Sequence, residues 1–474
     1  MAFKGSVLNS VLKIIVGIVL GTIILNTNSK AIEKPDRAWR YPGYDLLDSR
    51  VYPYASKPVE NLGFKLSSVS LLYGENFHYI LSGDLDSDGN MEICISDKQS
   101  VSIYDPNLEI IRRIDTPYGS CIISLLEDMN ANGDLEIGIG YSKDRQVSIA
   151  FYGINGNLVN RYQEEVYKQS SLATLCRTGD NLISFVNSGY SRYPRGVMIH
   201  DCNTGDLDCL YGIGPIVTGL SYGSIADINN DGDYEISIFN ASSENGSFGL
   251  GSSRGGTITY DDCTYTIVVN EHGQECFTVK ESSKSNDHQY SKFVKFREDS
   301  SFTLLCYNKP HNHCRPMSTS RLILRDVVTG NRKKIFYGAT GYYMDCIACD
   351  LDANGIKEII VSNYDDVIQI KREFFVLNYI LDNNLNVSRY SRDISGIINC
   401  ANDINGDGYK ELIFKSDFEL LITDYKLNEL WNHRFEKPIF SNIIILDADL
   451  DGYNEIYLAT QSDLYRLSAE DTPK

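Results

Sequence analysis

Short apolar segments with the spacing of β-strands recur along the chain, each beside a polar turn. Six similar turns are followed by apolar residues two positions apart, as at Ile93 and Ile95 or at Leu412 and Phe414. A period of two is typical of strands and not of helices. Further segments of the same kind flank Asn-Gly, Thr-Gly or Asp-Pro turns, which favour hairpins or loops. The pattern predicts an all-β fold built from repeated four-stranded units.

The six turns share one acidic pattern, Asp-x-(Asp/Asn)-x-(Asp/Asn)-Gly-x-x-Glu-(Ile/Leu). Oxygen ligands at alternate positions, followed by a glycine turn, suit a hard cation such as Ca²⁺. An EF-hand would need a glutamate at position 12, where all six copies are apolar, so each loop is predicted to join two strands. We expect the side chains at positions 1, 3, 5 and 9 and the carbonyl of position 7 to wrap one ion. The predicted ligands, for up to six Ca²⁺ ions, are Asp84, Asp86, Asp88, Asn90, Glu92; Asp128, Asn130, Asn132, Asp134, Glu136; Asp227, Asn229, Asp231, Asp233, Glu235; Asp350, Asp352, Asn354, Ile356, Glu358; Asp403, Asn405, Asp407, Tyr409, Glu411; and Asp447, Asp449, Asp451, Tyr453, Glu455.

The charge of the chain agrees with bound cations in these loops. The net charge is −19, and positions 1, 3, 5 and 9 of the six loops carry nineteen acids. Carboxylates packed into one turn repel each other unless a cation lies between them. The copy at Asp128 has only two such acids and is expected to be the weakest site. The alternative interpretation is that some loops are polar turns held by side-chain hydrogen bonds alone.

The repeated motif resembles the FG-GAP and VCBS repeats, which occur in the β-propeller of integrin α subunits and in many secreted bacterial proteins. The resemblance covers residues 64–467 or so. It implies a β-propeller whose ions rigidify the blades while a ligand meets the opposite face. Glutamate at position 9, where integrins commonly have aspartate, departs from the integrin form and matches bacterial-type repeats better.

The spacing of the copies predicts how many units the chain contains. Two long gaps should each hide a unit without the acids, at residues 172–189 and 292–307. That gives eight four-stranded blades, the last incomplete. Residues 64–72 are predicted to supply its missing outer strand and close the ring, since closure removes exposed sheet edges. Seven blades, with one degenerate region an insertion, and an open solenoid are the alternatives.

Two segments depart from the regular unit. The Gly/Ser-rich residues 240–256 are predicted to form a long flexible loop. The second insertion, at residues 307–321, contains His311, His313 and Cys314, which could bind a metal but are more simply a solvated loop. Loops on a rigid scaffold often carry binding sites.

The N-terminus predicts export. A 12-residue apolar run at residues 14–25 follows Lys4 and Lys13 and precedes small residues, which is the layout of a signal peptide. We expect residues 1–31 to be a signal peptide or an uncleaved anchor, residues 32–63 an N-terminal extension and residues 64–474 the propeller. Calcium loops are filled at extracellular concentrations, so a periplasmic, cell-surface or extracellular location fits both features.

The 12 cysteines have two interpretations. Local disulfides could join Cys202 to Cys209, Cys263 to Cys276 and Cys306 to Cys314 in an oxidising compartment. Cys346 and Cys349 lie three residues apart on a predicted strand, so they should point to opposite faces and pack as small apolar side chains. The remaining strand cysteines are Cys94, Cys121, Cys176 and Cys400, which are expected in the core.

No motif of a known catalytic site stands out, so whether the chain is an enzyme stays open. The acidic balance argues against nucleic acid and anionic membranes as partners, which leaves the N-terminal segment as the one expected membrane contact. Three functions compete. The first is a calcium-stabilised module that binds a protein or glycan. The second is a polysaccharide-active enzyme, since some secreted lyases resemble this architecture. The third is a structural subunit of an anchored surface assembly.

Overall fold

The computed structural model describes residues 50–71, 79–96, 99–116, 121–143, 146–165, 170–188, 194–217, 224–242, 246–282, 288–309, 319–340, 343–365 and 375–471. None of these residues is helical, so none lies in a helix that could cross a membrane. The predicted signal segment and residues 32–49 of the predicted extension lie outside these ranges.

The strands form eight blades. The chain begins with β1 (Leu62–Ser70), and the first three blades follow: β2 (Ile80–Gly83), β3 (Glu92–Ser96), β4 (Ser100–Tyr104) and β5 (Ile110–Asp115) in the first; β6 (Cys121–Glu127), β7 (Glu136–Lys143), β8 (Gln146–Tyr152) and β9 (Leu158–Glu165) in the second; and β10 (Ser170–Thr178), β11 (Asn181–Ser188), β12 (Arg195–Asp201) and β13 (Leu207–Gly212) in the third. The fourth blade consists of β14 (Ser224–Ala226), β15 (Glu235–Ile238), β19 (Thr264–Asn270) and β20 (Glu275–Ser282), and an insertion between its second and third strands contains β16 (Asn240–Ala241), β17 (Phe248–Gly249) and β18 (Thr259–Tyr260). The remaining blades are β21 (His288–Val294), β22 (Thr303–Lys309), β23 (Thr319–Asp326) and β24 (Arg332–Thr340) in the fifth; β25 (Tyr343–Cys349), β26 (Glu358–Asp365), β27 (Phe375–Leu381) and β28 (Val387–Ser391) in the sixth; β29 (Ile397–Asn402), β30 (Glu411–Lys415), β31 (Glu419–Thr423) and β32 (Glu429–Arg434) in the seventh; and β33 (Ile444–Leu446), β34 (Glu455–Ala459) and β35 (Asp463–Asp471) in the eighth.

Each blade is an antiparallel sheet whose first strand lies innermost. Neighbouring first strands touch, as β2 touches β6 and β25 touches β29. All five residues of β3 are buried, whereas four of the five residues of the outer strand β28 are exposed. Adjacent blades cover both faces of the inner strands, so these strands are apolar at nearly every position instead of alternating.

The ring closes as predicted, with eight blades rather than seven and no open end. Strand β1 pairs antiparallel with β35 from Leu62 opposite Asp471 to Ser70 opposite Asp463 and so completes the eighth blade. The eighth blade also reaches the first, where the Asn442 side chain accepts from the Ile80 N–H at 2.8 Å and donates to its carbonyl at 2.9 Å.

The two blades predicted without acidic loops are the third and the fifth. Their first two strands are β10 and β11, and β21 and β22, and both pairs have regular antiparallel register over most of their length. In the third blade a short turn that includes Gly179, with a φ of 52°, replaces the acidic loop.

The Gly/Ser-rich insertion differs from the flexible loop predicted for it. Strand β16 pairs with β21 of the next blade, and Gly251 exchanges two backbone hydrogen bonds of 2.8 and 3.0 Å with Gly212 at the end of β13. These bonds order the described part of the insertion, with β16 beside the first strand of the fifth blade and Gly251 beside the last strand of the third. In the second insertion, His311, His313 and Cys314 lie outside the described residues.

Two of the predicted disulfides are wrong, because both Cys202 and Cys209, and Cys263 and Cys276, are free. Cys263 precedes the β19–β20 hairpin at its open end, whereas Cys276 lies in a bulge near its turn. The third predicted pair includes Cys314 and falls outside the described residues, although Cys306 itself is free. Cys346 and Cys349 pack into different apolar clusters on either side of β25, as predicted.

Candidate metal sites

All six acidic loops lie at one end of their blades, between the first and second strands. Each loop is named here by its first residue. They join β2 to β3, β6 to β7, β14 to β15, β25 to β26, β29 to β30 and β33 to β34. The strand interpretation of positions 10 and 12 therefore placed the loops correctly.

The six loops share one backbone conformation. Position 4 is left-handed in every copy, with φ between 57° and 70°, and the glycine at position 6 has φ between 82° and 97°. Five of the six residues at position 4 are not glycine, and a left-handed conformation costs such residues about 1–2 kcal/mol. The position-4 residues are Ser87, Ala131, Asn230, Ala353, Gly406 and Leu450. A repeated strained position indicates that the turn is shaped for the groups it encloses.

Three hydrogen bonds hold the carboxylates in the same arrangement in every loop. The backbone N–H of position 2 donates to the position-9 glutamate at 2.7–3.0 Å. The glycine N–H donates to the position-1 aspartate at 2.8–3.2 Å. The N–H of position 7 donates to the side chain of position 5 at 2.7–2.9 Å. The side chains of positions 1, 5 and 9 are thus held in the same way in all six loops.

In three loops, carboxylate oxygens from positions 1, 3 and 9 lie within 4.8 Å of one another. These groups are Asp84, Asp86 and Glu92; Asp350, Asp352 and Glu358; and Asp447, Asp449 and Glu455. Oxygens this close, bonded to a Ca²⁺ ion at about 2.3–2.6 Å, can share one ion. In the Asp128, Asp227 and Asp403 loops, position 3 is asparagine, and the amides of Asn130 and Asn229 donate to the position-9 glutamates at 2.8 and 3.4 Å.

Five of the six position-9 glutamates are buried and Glu358 is half-buried, and among the described residues only Glu455 has an ion pair. Burial raises the pKa of all six, to about 7 for Glu92 and to about 8 for Glu411 and Glu455. The neighbouring loop carboxylates raise these pKa values further, while the position-2 N–H lowers them. Two further buried atoms, Asp84 Oδ1 and Asp403 Oδ1, accept no hydrogen bond from the described residues. Both observations fit a site shaped for a cation.

The Asp447 loop is the exception, because a side chain of the chain itself supplies positive charge there. Arg466 Nη2 on β35 lies 2.6 Å from Asp449 Oδ2 and 3.1 Å from Glu455 Oε1. Its Nη1 donates to the Pro106 carbonyl and to Asn107 in the first blade. The guanidinium therefore takes up lone pairs that an ion would use and also ties the last blade to the first. The sequence pattern alone did not indicate this competition.

Sequence reasoning also missed the contact of residues 50–59 with two of the loops. The N–H groups of Ser56 and Val59 donate to the carbonyls of Asp403 and Asn405 at 2.9 and 2.8 Å, and that of Lys57 donates to Gly452 at 2.8 Å. Two asparagine side chains also bind this segment: the amides of Asn402 and Asn454 donate to backbone carbonyls of Tyr52 and Tyr54. The signal available in the sequence was Asn402 directly before one loop and Asn454 at position 8 of the other, and asparagine is too common in turns to interpret alone.

Comparisons with known proteins support the fold. No protein-family model matches the chain. No curated protein matches it either. Among solved structures, a quinohemoprotein alcohol dehydrogenase from Comamonas testosteroni aligns with a TM-score of 0.63 at 10% identity, over 94% of this chain and 83% of that one. A europium-containing methanol dehydrogenase aligns with a TM-score of 0.62 at 10% identity, over 92% and 98%. BamB from Moraxella catarrhalis aligns with a TM-score of 0.51 at 12% identity, over 86% and 99%. At these identities the likeness concerns the propeller fold alone.

Proposed function

We propose that the chain is an exported, calcium-stabilised β-propeller of the FG-GAP/VCBS type that acts as a binding module for a protein partner. The metal-binding part of the proposal rests on the six position-9 glutamates, of which five are buried and Glu358 is half-buried. Each is aimed by a backbone N–H at a cluster of oxygens, and burial raises the pKa of each. A cation replaces the proton that such a carboxylate otherwise holds.

The donor set favours calcium. Carboxylate, amide and backbone oxygens are the ligands of hard cations, and a turn that offers several at flexible spacing suits Ca²⁺ better than the strict octahedron of Mg²⁺. When bound, the ion neutralises the acids and fixes the turn between the first two strands of a blade. Its role is structural, and the millimolar calcium outside cells would keep the loops filled.

The surface proposed for the partner is the hairpin of β17 and β18. Four apolar side chains there are half-exposed or more: Phe248, Leu250, Ile258 and Tyr260. Exposed apolar groups gathered in one place are typical of interaction sites. The insertion connects the second and third strands of its blade, so it leaves the blade at the end opposite to the acidic loop.

The hairpin is held rigidly, which favours recognition. The Gly214 N–H donates to Thr259 Oγ1 at 2.9 Å, the Asp261 N–H to the Ser247 carbonyl at 3.1 Å, and the Tyr260 N–H to the Tyr265 hydroxyl at 3.1 Å. Phe and Tyr side chains presented on an ordered backbone lose little entropy on binding. A protein surface with a complementary apolar pocket is the partner that this hairpin suits best.

Calcium binding is tested by metal analysis and by thermal unfolding in EGTA and in excess Ca²⁺. We expect several bound calcium ions and a marked drop of the melting temperature on chelation. A protein that contains no calcium and melts at the same temperature in EGTA would refute this part of the proposal.

The partner surface is tested by photo-crosslinking in cells that produce the chain. A benzophenone amino acid in place of Phe248 should give a discrete crosslinked protein. The matched control carries it in place of Val387, which is also exposed but lies on the outer strand β28. Equal crosslinking at both positions, or none at position 248, would contradict a dedicated surface.

A further inference from the structure

A second kind of metal site lies beside the Asp227 loop, and we propose that it binds Zn²⁺. It consists of Asp233 from that loop and of Glu271 and His272 from the turn between β19 and β20. One ligand atom from each of the three lies within 4.8 Å of the others. The site is not one of the six repeat loops, because two of its three ligands come from another turn and one of them is an imidazole.

The buried carboxylate of Glu271 is the observation that points to a ligand. Glu271 is only 7% exposed, and its Oε2 accepts no hydrogen bond from any described residue. A buried carboxylate oxygen without a donor costs free energy unless a cation lies against it. The nearby Arg254 does not meet this need, since its guanidinium donates to Asp208 and to the His272 carbonyl.

The two turns are fixed relative to each other by the backbone. The Glu271 N–H donates to the Tyr234 carbonyl at 2.8 Å, next to Asp233 in sequence. Within the hairpin turn, Asn270 Oδ1 accepts the N–H groups of His272 and Gln274 at 3.2 and 2.9 Å. The three ligands are therefore held on a preorganised frame and not on mobile loops.

Zinc fits this donor set better than calcium does. Imidazole nitrogen with two carboxylates suits a borderline metal, whereas calcium takes oxygen ligands. Tetrahedral zinc with bonds of about 2.1 Å places its ligand atoms roughly 3.4 Å apart. His272 Nε2 and Asp233 Oδ2 lie 3.4 Å apart, and both side chains are about half exposed, so the metal can enter and a fourth position faces water.

The same residue can serve both kinds of site. In the Asp227 loop, Asp233 occupies position 7, where the backbone carbonyl is the expected calcium ligand. Its side chain is then available to zinc. A zinc site so placed would clamp the acidic loop to the β19–β20 turn, independently of whether calcium fills the loop.

The test is a zinc titration of the full chain in excess calcium, followed by calorimetry and, with Co²⁺ as the probe, by its visible absorption. His272→Gln and Glu271→Gln should each weaken zinc binding at least about tenfold, since changes outside the ligand shell alone cost about 10–100-fold. His433→Gln, on a different blade, is the matched control and should leave zinc affinity unchanged. The double variant His311→Gln/His313→Gln should also leave it unchanged.

A second pair of variants separates the two metals. Asp233→Asn removes the zinc ligand but keeps the carbonyl, so it should abolish zinc binding and keep the calcium response of the melting temperature. Asp231→Ala removes the position-5 oxygen of the loop, so it should lower the calcium response of the melting temperature and keep zinc binding. Zinc binding that survives both turn variants, or that falls equally in Asp231→Ala and Asp233→Asn, would overturn the proposal.

Discussion

Replacing Glu411 by glutamine should stabilise the calcium-free protein and destabilise the calcium-loaded protein. Glu411 is 1% exposed and accepts the N–H groups of Ile404 and Asn405 at 2.8 and 3.2 Å. Glutamine has nearly the same shape and keeps an oxygen acceptor for these donors. The substitution therefore removes the negative charge with little change of packing.

The magnitude follows from the pKa of Glu411, which burial raises from 4.5 to about 8. Because the folded pKa lies above the unfolded one, the stability that this group confers is complete below pH 4.5 and is lost as the pH rises towards 8. At pH 8 the loss amounts to about 4 kcal/mol, at about 1.4 kcal/mol per pKa unit. Glutamine does not titrate, so Glu411→Gln should escape this loss. At the proposed calcium site the order should reverse, because a bound ion would need the carboxylate.

The assay is thermal and urea unfolding across the neutral pH range, once in EGTA and once in millimolar calcium. In EGTA, the stability difference between Glu411→Gln and the parent should grow with pH up to about 8 and then level off. Glu109→Gln, at an exposed position outside the loops, is the control and should follow the parent. If Glu411→Gln keeps the full calcium response, or if the EGTA curves of variant and parent stay parallel, the reasoning about the buried carboxylate is refuted.

Three further predictions concern other parts of the ring. Gly408→Ala should cost about 1–2 kcal/mol of stability through the backbone alone, since φ is 92° and no atom lies within 4 Å of the added methyl. Gly153→Ala, the control, should have little effect on stability. Equal urea midpoints for the two variants would contradict this prediction. Arg466→Met should destabilise the calcium-free protein by about 3–5 kcal/mol, because Asp449 and Glu455 lose their buried partner. The same variant should show a larger calcium-dependent rise in melting temperature than the parent. An unchanged calcium response would show that the guanidinium does not compete with the ion. Removal of residues 1–70 should expose the edge of β35 and produce concentration-dependent aggregates in light scattering, and a stable monomer would argue against β1 as the closing strand.

The features predicted correctly from sequence were those encoded over a few neighbouring residues. The glycine at position 6 and the alternation after it predicted the turn and the strand that follows. The spacing between the six motifs also revealed the two blades that lack an acidic loop. The closing role of β1 followed from counting, because the last unit lacked a strand and only one unpaired segment remained.

The errors concern pairings that depend on register or on distant chain segments. The bulge at Cys276 and the position of Cys263 at the open end of the same hairpin separate two cysteines that appear close in a simple hairpin. Arg466 reaches the Asp447 loop because β35 pairs with β34, so that Arg466 faces Tyr457, two residues beyond Glu455. Glu271 and His272 lie 38 or more residues beyond Asp233 and carry no motif of their own.

The pairing of β1 with β35 has a consequence for how the protein is made. Ser70 and its partner Asp463 are separated by 393 positions, so the outer edge of the eighth blade stays open until nearly the whole chain has emerged from the ribosome. Joining ends this far apart costs roughly 5 kcal/mol of loop-closure entropy unless the intervening blades have already folded against one another. Closure should therefore be the last and slowest step of folding. For an exported chain, that delay would keep the polypeptide incompletely folded during secretion, and the ring would close only after export.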